Sequence, residues 1–400
     1  MNLYSASPYW LLRHGIINSY PSLNRDINTE IAVIGAGISG ALVASQLCQA
    51  GFKVVVVDRR HVGTGSTAAS TALLQYEIDK PLHQLIKLVG EKNAIKSYRL
   101  CRKAITDIEK ICHQLNDPGL FLSKPSFQFA SIKKDLPGLR IEYLLRKKAG
   151  FPIQWLDEDD VNKKFGLKKS AGLLSKDGAE ADAYKITHSL LKKCISKGLQ
   201  LYDNTEIIQI RHHKNEVELF TSNKKKIRAR KLIIACGYES QQYIPQKVQE
   251  LQATYAIASE PYGPKNFWYK NALIWETAVP YLYLRTTSDN RIIVGGKDIP
   301  FSNPTKRDGL LTQKAKSLEK SFTNLFPQIP FKTDFKWTGT FASTKDGLPY
   351  IGSIRQRPNT YFALGLGGNG ITFSIIAANI IKDLLTDRKT SDADIFKFDR

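Results

Sequence analysis

Four hundred residues exceed what a single hydrophobic core commonly serves, so two domains are expected, and an apolar content of 42% suffices to fill both. No run approaches the roughly eighteen uninterrupted apolar residues of a membrane-spanning helix, and the first residues lack the basic-then-apolar pattern of a secretory signal. A formal net charge of +21 invites a nucleic-acid or anionic-lipid partner, yet the cations are spread in small groups, and only Lys224-Lys225-Lys226 with Arg228, Arg230 and Lys231 is dense. That group lies between two strand-like runs, as a solvated hairpin tip or a surface for an acidic partner. Five scattered cysteines without CxxC spacing read as reduced thiols of a cytoplasmic protein, at most peripheral to the inner face of a membrane.

In chain order, the first informative segment is the strand Ile31-Ala32-Val33-Ile34, the turn Gly35-Ala36-Gly37-Ile38-Ser39-Gly40, a helix-compatible stretch, and a second strand ending in Asp58. Gly35 permits the tight turn, Gly37 lets backbone approach a pyrophosphate, and Gly40 lets the helix pack on the strand. The phosphates then meet the helix N-terminus at Ile38 and Ser39, and Asp58 is placed to accept from a ribose. Arg59 and Arg60 directly after it leave open an NADP-dependent Rossmann dehydrogenase, with the guanidinium groups on a 2′-phosphate. A loop of small and hydroxylic residues follows at 63–72, containing Ser66, Thr67, Ala68, Ser70 and Thr71.

Residues 81–115 carry apolar side chains at three- and four-residue spacings and read as helical, longer than a simple crossover requires. Residues 184–197 predict a second amphipathic helix, then strands at 199–202, 205–212, 217–221 and 232–235, the last ending in Cys236-Gly237-Tyr238. An apolar strand that stops at a glycine marks the carboxyl edge of a parallel sheet where a cofactor can lie. From 253 to 297 the period becomes two, predicting a hairpin turning at Ser288-Asp289-Asn290, with Tyr281, Tyr283 and Arg285 on one face. That face is either a substrate wall or an aromatic solvent surface. After a helix at 310–326, a strand at 361–364 runs into Gly365-Leu366-Gly367-Gly368-Asn369-Gly370 and a helix at 371–385. Such a helix N-terminus suits a group that becomes anionic, such as the N1–C2=O edge of a reduced flavin.

These segments, with Val294-Gly295-Gly296-Lys297-Asp298 and Thr344-Lys345-Asp346-Gly347-Leu348-Pro349-Tyr350-Ile351-Gly352, resemble the D-amino-acid oxidase-like family of FAD-dependent oxidoreductases over nearly the whole chain. The resemblance implies an α/β and α+β fold: a discontinuous Rossmann-like FAD-binding domain (1–80, 160–250 and 335–400) and an inserted mixed β-sheet substrate domain (81–159 and 251–334). It implies that Gly35, Gly37, Ile38, Ser39 and Gly40 hold the pyrophosphate, Asp58 and Arg59 the adenosine, and Ser66, Thr67, Ala68, Ser70, Thr71 and Gly237 the neighbouring flavin and phosphate. Gly367, Gly368, Asn369, Gly370 and Thr372 are then expected against the isoalloxazine. No cysteine follows Cys236, so the FAD is expected to be non-covalent.

The expected activity is oxidation of a C–N bond of an amino acid or amine to an imine by hydride transfer to flavin N5, with O2 or a quinone as final acceptor. Phe341 stands where several family members carry a carboxylate-binding arginine. Arg285, flanked by Tyr281 and Tyr283, is the candidate replacement; without it a plain amine or polyamine-like substrate is favoured. The seven histidines form no constellation, so no catalytic residue is assigned. A basic RNA- or membrane-associated flavoprotein is the competing reading of the charge, with nucleic acid the less favoured partner.

Overall fold

The computed structural model describes residues 2–263, 267–388 and 390–400. Val54–Val57 is four valines in succession, every one buried, which is how a strand covered on both faces reads. It lies in an eight-stranded sheet between Gln200–Tyr202 and Ile27–Ile34, followed by Lys226–Ile234, Thr360–Leu364 and Tyr350–Ser353. Pairing is parallel from Gln200–Tyr202 through to Thr360–Leu364, and the edge strand Tyr350–Ser353 is antiparallel. Alternation still operates inside these apolar runs. Ile31, Val33, Val54 and Val56 face one core with the helices Ile38–Gln49, Ala183–Ile195 and Gly370–Leu385, while Ala32, Ile34, Val55 and Val57 face the other. That second face is closed by Val217–Thr221, which hairpins antiparallel onto Lys226–Ile234 with Lys224 at the tip.

The second sheet has ten strands and is mixed. Its order is Tyr4–Ala6, Thr333–Ser343, Glu250–Ser259, Ile292–Pro300, Tyr283–Thr286, Leu273–Glu276, Phe121–Phe129, Ala171–Ala181 and Leu73–Leu74, with Ile153–Asp157 paired onto Ala171–Ala181. The single parallel pairing joins Leu273–Glu276 to Phe121–Phe129. Helix Leu311–Leu325 seals its own core through Leu318 and Phe322.

Five segments lie elsewhere than the sequence boundaries place them. Tyr4–Ala6, Leu73–Leu74, Ala171–Ala181 and Thr333–Ser343 belong to the ten-stranded sheet, and Glu91–His113 packs on Gly370–Leu385 within the core of the nucleotide-binding sheet. Alternation identifies a strand but not the sheet that recruits it, because the partner is far away in sequence. The expected helix at 81–115 is two, Leu82–Val89 and Glu91–His113, broken at Gly90 with φ +80°.

Two polar devices brace the interface between the sheets. Arg146, 1% exposed, donates to Glu142 (2.7 Å) and Glu77 (3.4 Å), and Glu142 also accepts from the backbone N–H groups of Leu82 and His83 (2.9 and 3.1 Å). Burial opposes ionisation of Glu142, but Arg146, His83 and those two N–H groups outweigh it and hold the pKa down to about 2. The loop at 66–72 is gripped through its carbonyls: Trp10 Nε1 donates to Ser70 (2.7 Å), Trp337 Nε1 to Ala69 (2.9 Å), and Arg285 to Thr71 and Ala72 (2.9 and 3.1 Å).

Candidate active site

The carboxyl edge of the parallel strands, the loop at 66–72 and the ten-stranded sheet enclose one cavity of about 580 Å3, within the range of cofactor sites. At one end stand Asp58, Arg59 and Glu239; at the other, Trp275, Tyr281, Tyr283 and Asp298.

The first end is built by close backbone approach. Gly35 has φ +111°, and a Cβ there would fall 2.5 Å from the Ala235 carbonyl oxygen; one on Gly40 would fall 1.8 Å from the Gly35 carbonyl oxygen. The Ile38 N–H donates to Thr67 Oγ1 at 3.0 Å, so the first turn of Ile38–Gln49 faces the hydroxylic loop across Gly37. Asp58 accepts from the N–H groups of Ala36 (2.7 Å) and Arg60 (2.9 Å). Burial raises its pKa against these bonds and against Arg60. Arg60 is bidentate to Glu239 (2.9 and 3.0 Å), and Arg59 pairs with Glu239 as well. These guanidinium groups are spent on a carboxylate, which removes the geometry that a 2′-phosphate would need and counts against the NADP reading.

In the middle of the cavity the second glycine turn meets the segment 75–79. Asn369 donates to the carbonyls of Gln75 (3.1 Å) and Glu77 (2.8 Å), Thr372 Oγ1 donates to the Asn369 carbonyl (2.8 Å), and the Gly368 N–H donates to Asp79 (2.9 Å). Ser39 and Ser374 hydroxyls meet at 2.7 Å, locking the two helices that start at the glycine turns. Ser66 Oγ lines this stretch, buried and without a partner. Such an orphan, beside two helix N-termini whose first turns carry no acid, fits a dinucleotide whose phosphates and flavin edge bring acceptors.

The far chamber is aromatic. Tyr281 donates to Asp79 (3.0 Å), its ring lies 6.0 Å from Trp275 and 5.8 Å from Tyr283, and Tyr283 lies across Gly295, where a Cβ would fall 2.2 Å from the ring. Asp298 Oδ1 is buried with no partner, and burial, then the nearby Asp79 charge against a Thr254 bond, leaves its pKa pushed up to about 6.

Gly35, Gly37, Ile38, Ser39, Asp58, Arg59, Ser66, Thr67, Ser70, Thr71, Gly237, Tyr281, Tyr283, Gly367, Gly368, Asn369, Gly370 and Thr372 all line the cavity. Gly40 and Ala68 are buried outside its lining. Arg285 requires correction. It shares a strand face with Tyr283, but it is 3% exposed, does not line the cavity, and gives its donors to the Thr71, Ala72, Ala181 and Thr286 carbonyls, with Glu180 at 3.8 Å. Alternation gives a face, not how far along it the cavity extends. Asp346 is likewise structural: Arg400 grips it at 2.8 and 3.0 Å. Asp79, Thr254 and Trp275 were not singled out by sequence, and Tyr238 and Asp298 only as parts of motifs; no spacing connects them, since they come from separate strands and turns.

The profile of the family described as FAD dependent oxidoreductase (DAO) matches residues 30–384. The putative Rieske 2Fe-2S iron-sulfur protein YhfW of Bacillus subtilis is 23% identical over 94% of this chain and 72% of its own length. Gamma-glutamylputrescine oxidoreductase of Escherichia coli is 23% identical over 95% of this chain and 89% of its own. The crystal structure of glycine oxidase from Geobacillus kaustophilus superposes with a TM-score of 0.77 at 19% identity, covering 91% of this chain and 96% of that one. Among the described residues no helix is long and apolar enough to cross a membrane, and no cluster of His, Cys, Asp or Glu is arranged to hold a metal. With a dinucleotide cavity, two glycine-turn helices and a family match over most of its length, the chain belongs to the DAO family of FAD-dependent oxidoreductases, and FAD is its cofactor.

Proposed function

We propose that this enzyme oxidises the C–N bond of a small amine or amino acid held in the aromatic chamber. The observation that carries this reading is the continuity of one cavity from Asp58, past both glycine-turn helix N-termini, to Trp275, Tyr281 and Tyr283. Amine and amino-acid chemistry is supported by the names of similar proteins, gamma-glutamylputrescine oxidoreductase and glycine oxidase. When bound, FAD accepts a hydride equivalent from the carbon next to nitrogen, leaving an imine for water to hydrolyse.

The chain's own residues position and screen. Gly35, Gly37, Ile38 and Ser39 present the helix N-terminus to the pyrophosphate, Asp58 turns its carboxylate to the adenosine ribose, and Ser66 and Thr67 offer hydroxyls to the phosphates. The N-terminus of Gly370–Leu385 would offer its dipole and first backbone N–H groups to the flavin edge that becomes negative on reduction, while the Gly368 N–H is given to Asp79. Tyr281, Tyr283 and Trp275 exclude water and orient the substrate carbon. The nitrogen lone pair has to be free for hydride to leave the neighbouring carbon, so an amine that arrives as its ammonium gives up a proton to water before it reacts.

The test is anaerobic: the purified yellow protein is mixed with a panel of amines and amino acids, and flavin absorbance is followed. Bleaching by a member of the panel supports the reading, and bleaching by none overturns it. Hydrogen peroxide on admitting air identifies O2 as the acceptor; its absence, with turnover on adding a quinone, identifies a quinone.

A further inference from the structure

Resting on that reading, we propose that the substrate is a cationic alkylamine with no carboxylate at its reacting end, received between Asp79 and Asp298 in the chamber of Trp275, Tyr281 and Tyr283. The argument is one of charge distribution. Among the described residues, the Arg and Lys side chains that line the cavity are Arg59, Arg60 and Arg357, and all three belong to the eight-stranded sheet and its loops at the nucleotide end. Among the described residues the chamber contains none. Phe341, which does line the cavity, offers an apolar ring, and Arg285, which does not, is committed to backbone carbonyls. A carboxylate here would be desolvated with no cationic partner, a penalty that aromatic hydroxyls do not offset.

A cation meets the opposite situation. Asp79 has two donors, the Gly368 N–H and the Tyr281 hydroxyl, and retains acceptor capacity on both oxygens. Asp298 lines the cavity, and its Oδ1 is buried with no donor. An unpartnered buried carboxylate oxygen is an incomplete site, and an ammonium hydrogen completes it. Lys314, the ammonium whose charge acts on Asp298, donates instead to the Lys297 carbonyl and does not line the cavity. The rings of Trp275, Tyr281 and Tyr283 add their negative faces to the same region, a second feature that selects cations over anions. Binding should weaken as pH falls through about 6, where Asp298 takes up a proton, with Asp79, Tyr281, Tyr283, Lys297 and Lys314 the other titratable groups around it.

The proposal is separable from the oxidation chemistry by a matched pair of inert probes on the holoenzyme. tert-Butylammonium, which carries N–H donors but no hydrogen on the carbon beside nitrogen, should perturb the flavin spectrum, and butyrate, of similar size, should not. The Asp298→Asn variant should weaken the cation about ten- to a hundredfold at unchanged FAD content. With reactive probes, butylamine and 1,4-diaminobutane should bleach the flavin at concentrations where glycine, alanine and proline do not, and Phe341→Arg should narrow that preference. Tighter binding of butyrate, faster bleaching by the amino acids, or an Asp298→Asn variant with parental affinity overturns the proposal while leaving amine oxidation standing. Bleaching by neither class overturns both.

Discussion

At its nucleotide end the cavity is made of backbone: Gly35, Gly37 and Ile38 line it within a single strand-turn-helix, and the charged side chains Arg59, Arg60 and Glu239 are already paired among themselves. At the substrate end it is made of side chains from separate segments, with Asp298 Oδ1 left without a donor. The difference follows from what each end must recognise. A pyrophosphate is met by N–H groups and a helix dipole, which any sequence with the right glycines provides, whereas a substrate is chosen by charge and shape, which only convergent side chains supply. Variants should therefore divide into those that lose FAD and those that keep it and lose substrate.

The largest effect is expected at Arg285, because it belongs to neither class. Arg285→Ala takes a buried donor from four carbonyls and leaves Glu180 with Lys124 as its remaining cation among the described residues, a cost of about 3–5 kcal/mol by analogy with other broken buried pairs. Thermal unfolding should show a large fall in Tm, accompanied by weaker FAD retention as the 66–72 loop loosens. A stable, FAD-replete variant with a raised KM alone would restore Arg285 to the substrate site.

Next comes acid stability. The folded pKa of Glu142, about 2, lies below the ordinary glutamate value of 4.5, so the unfolded chain binds the extra proton. The contribution, on the order of 2–3 kcal/mol, is fully present above about pH 4.5 and is lost as pH falls toward 2. Denaturant unfolding of parent and Glu142→Gln at pH 7 and pH 3 should show the gap closing at the lower pH.

Asp58→Ala removes the carboxylate expected to accept from the ribose, a loss of about 1.5–3 kcal/mol, or ten- to a hundredfold in FAD affinity. Titration of flavin-stripped protein with FAD measures it. Unchanged affinity would sink the ribose assignment, and a changed substrate preference at full FAD loading would blur the division between the two ends.

The smallest expected effect has the opposite sign. Asp298 has a folded pKa near 6 against about 3.8 unfolded, so the folded state binds more protons and the penalty of its buried charge is absent below about pH 3.8 and complete above about pH 6. Asp298→Asn should therefore stabilise the chain by on the order of 1–3 kcal/mol at pH 7 and by little at pH 4, read as ΔTm at the two pH values. Equal shifts at both would show that folding does not raise the pKa of Asp298.

Legibility in the sequence followed the same division. The strand, glycine turn and acid-ended second strand at 31–58 lie within one short stretch, and so does the strand into glycine turn at 361–370; each is a local pattern with one steric solution, so the residues named there stand along the cavity. Tyr281 and Tyr283 were found by period-two alternation. Arg285 was misplaced by the same rule, because alternation says nothing of the loop at 71–72 that crosses the strand just there.

What the sequence determined by itself is therefore whatever is set by neighbours along the chain: the cofactor-binding turns, because a Cβ 1.8 Å from a carbonyl oxygen admits no alternative to Gly40, and the order of strands and helices, because burial imposes its period on each. Only the tertiary structure decided which sheet Ala171–Ala181 and Thr333–Ser343 join, that Arg285 is a brace, and that Asp79, Asp298 and Trp275 share a chamber. Those outcomes depend on contacts between residues distant in the chain, across separate strands and loops. They are selected by the packing of whole sheets, and no local spacing encodes them.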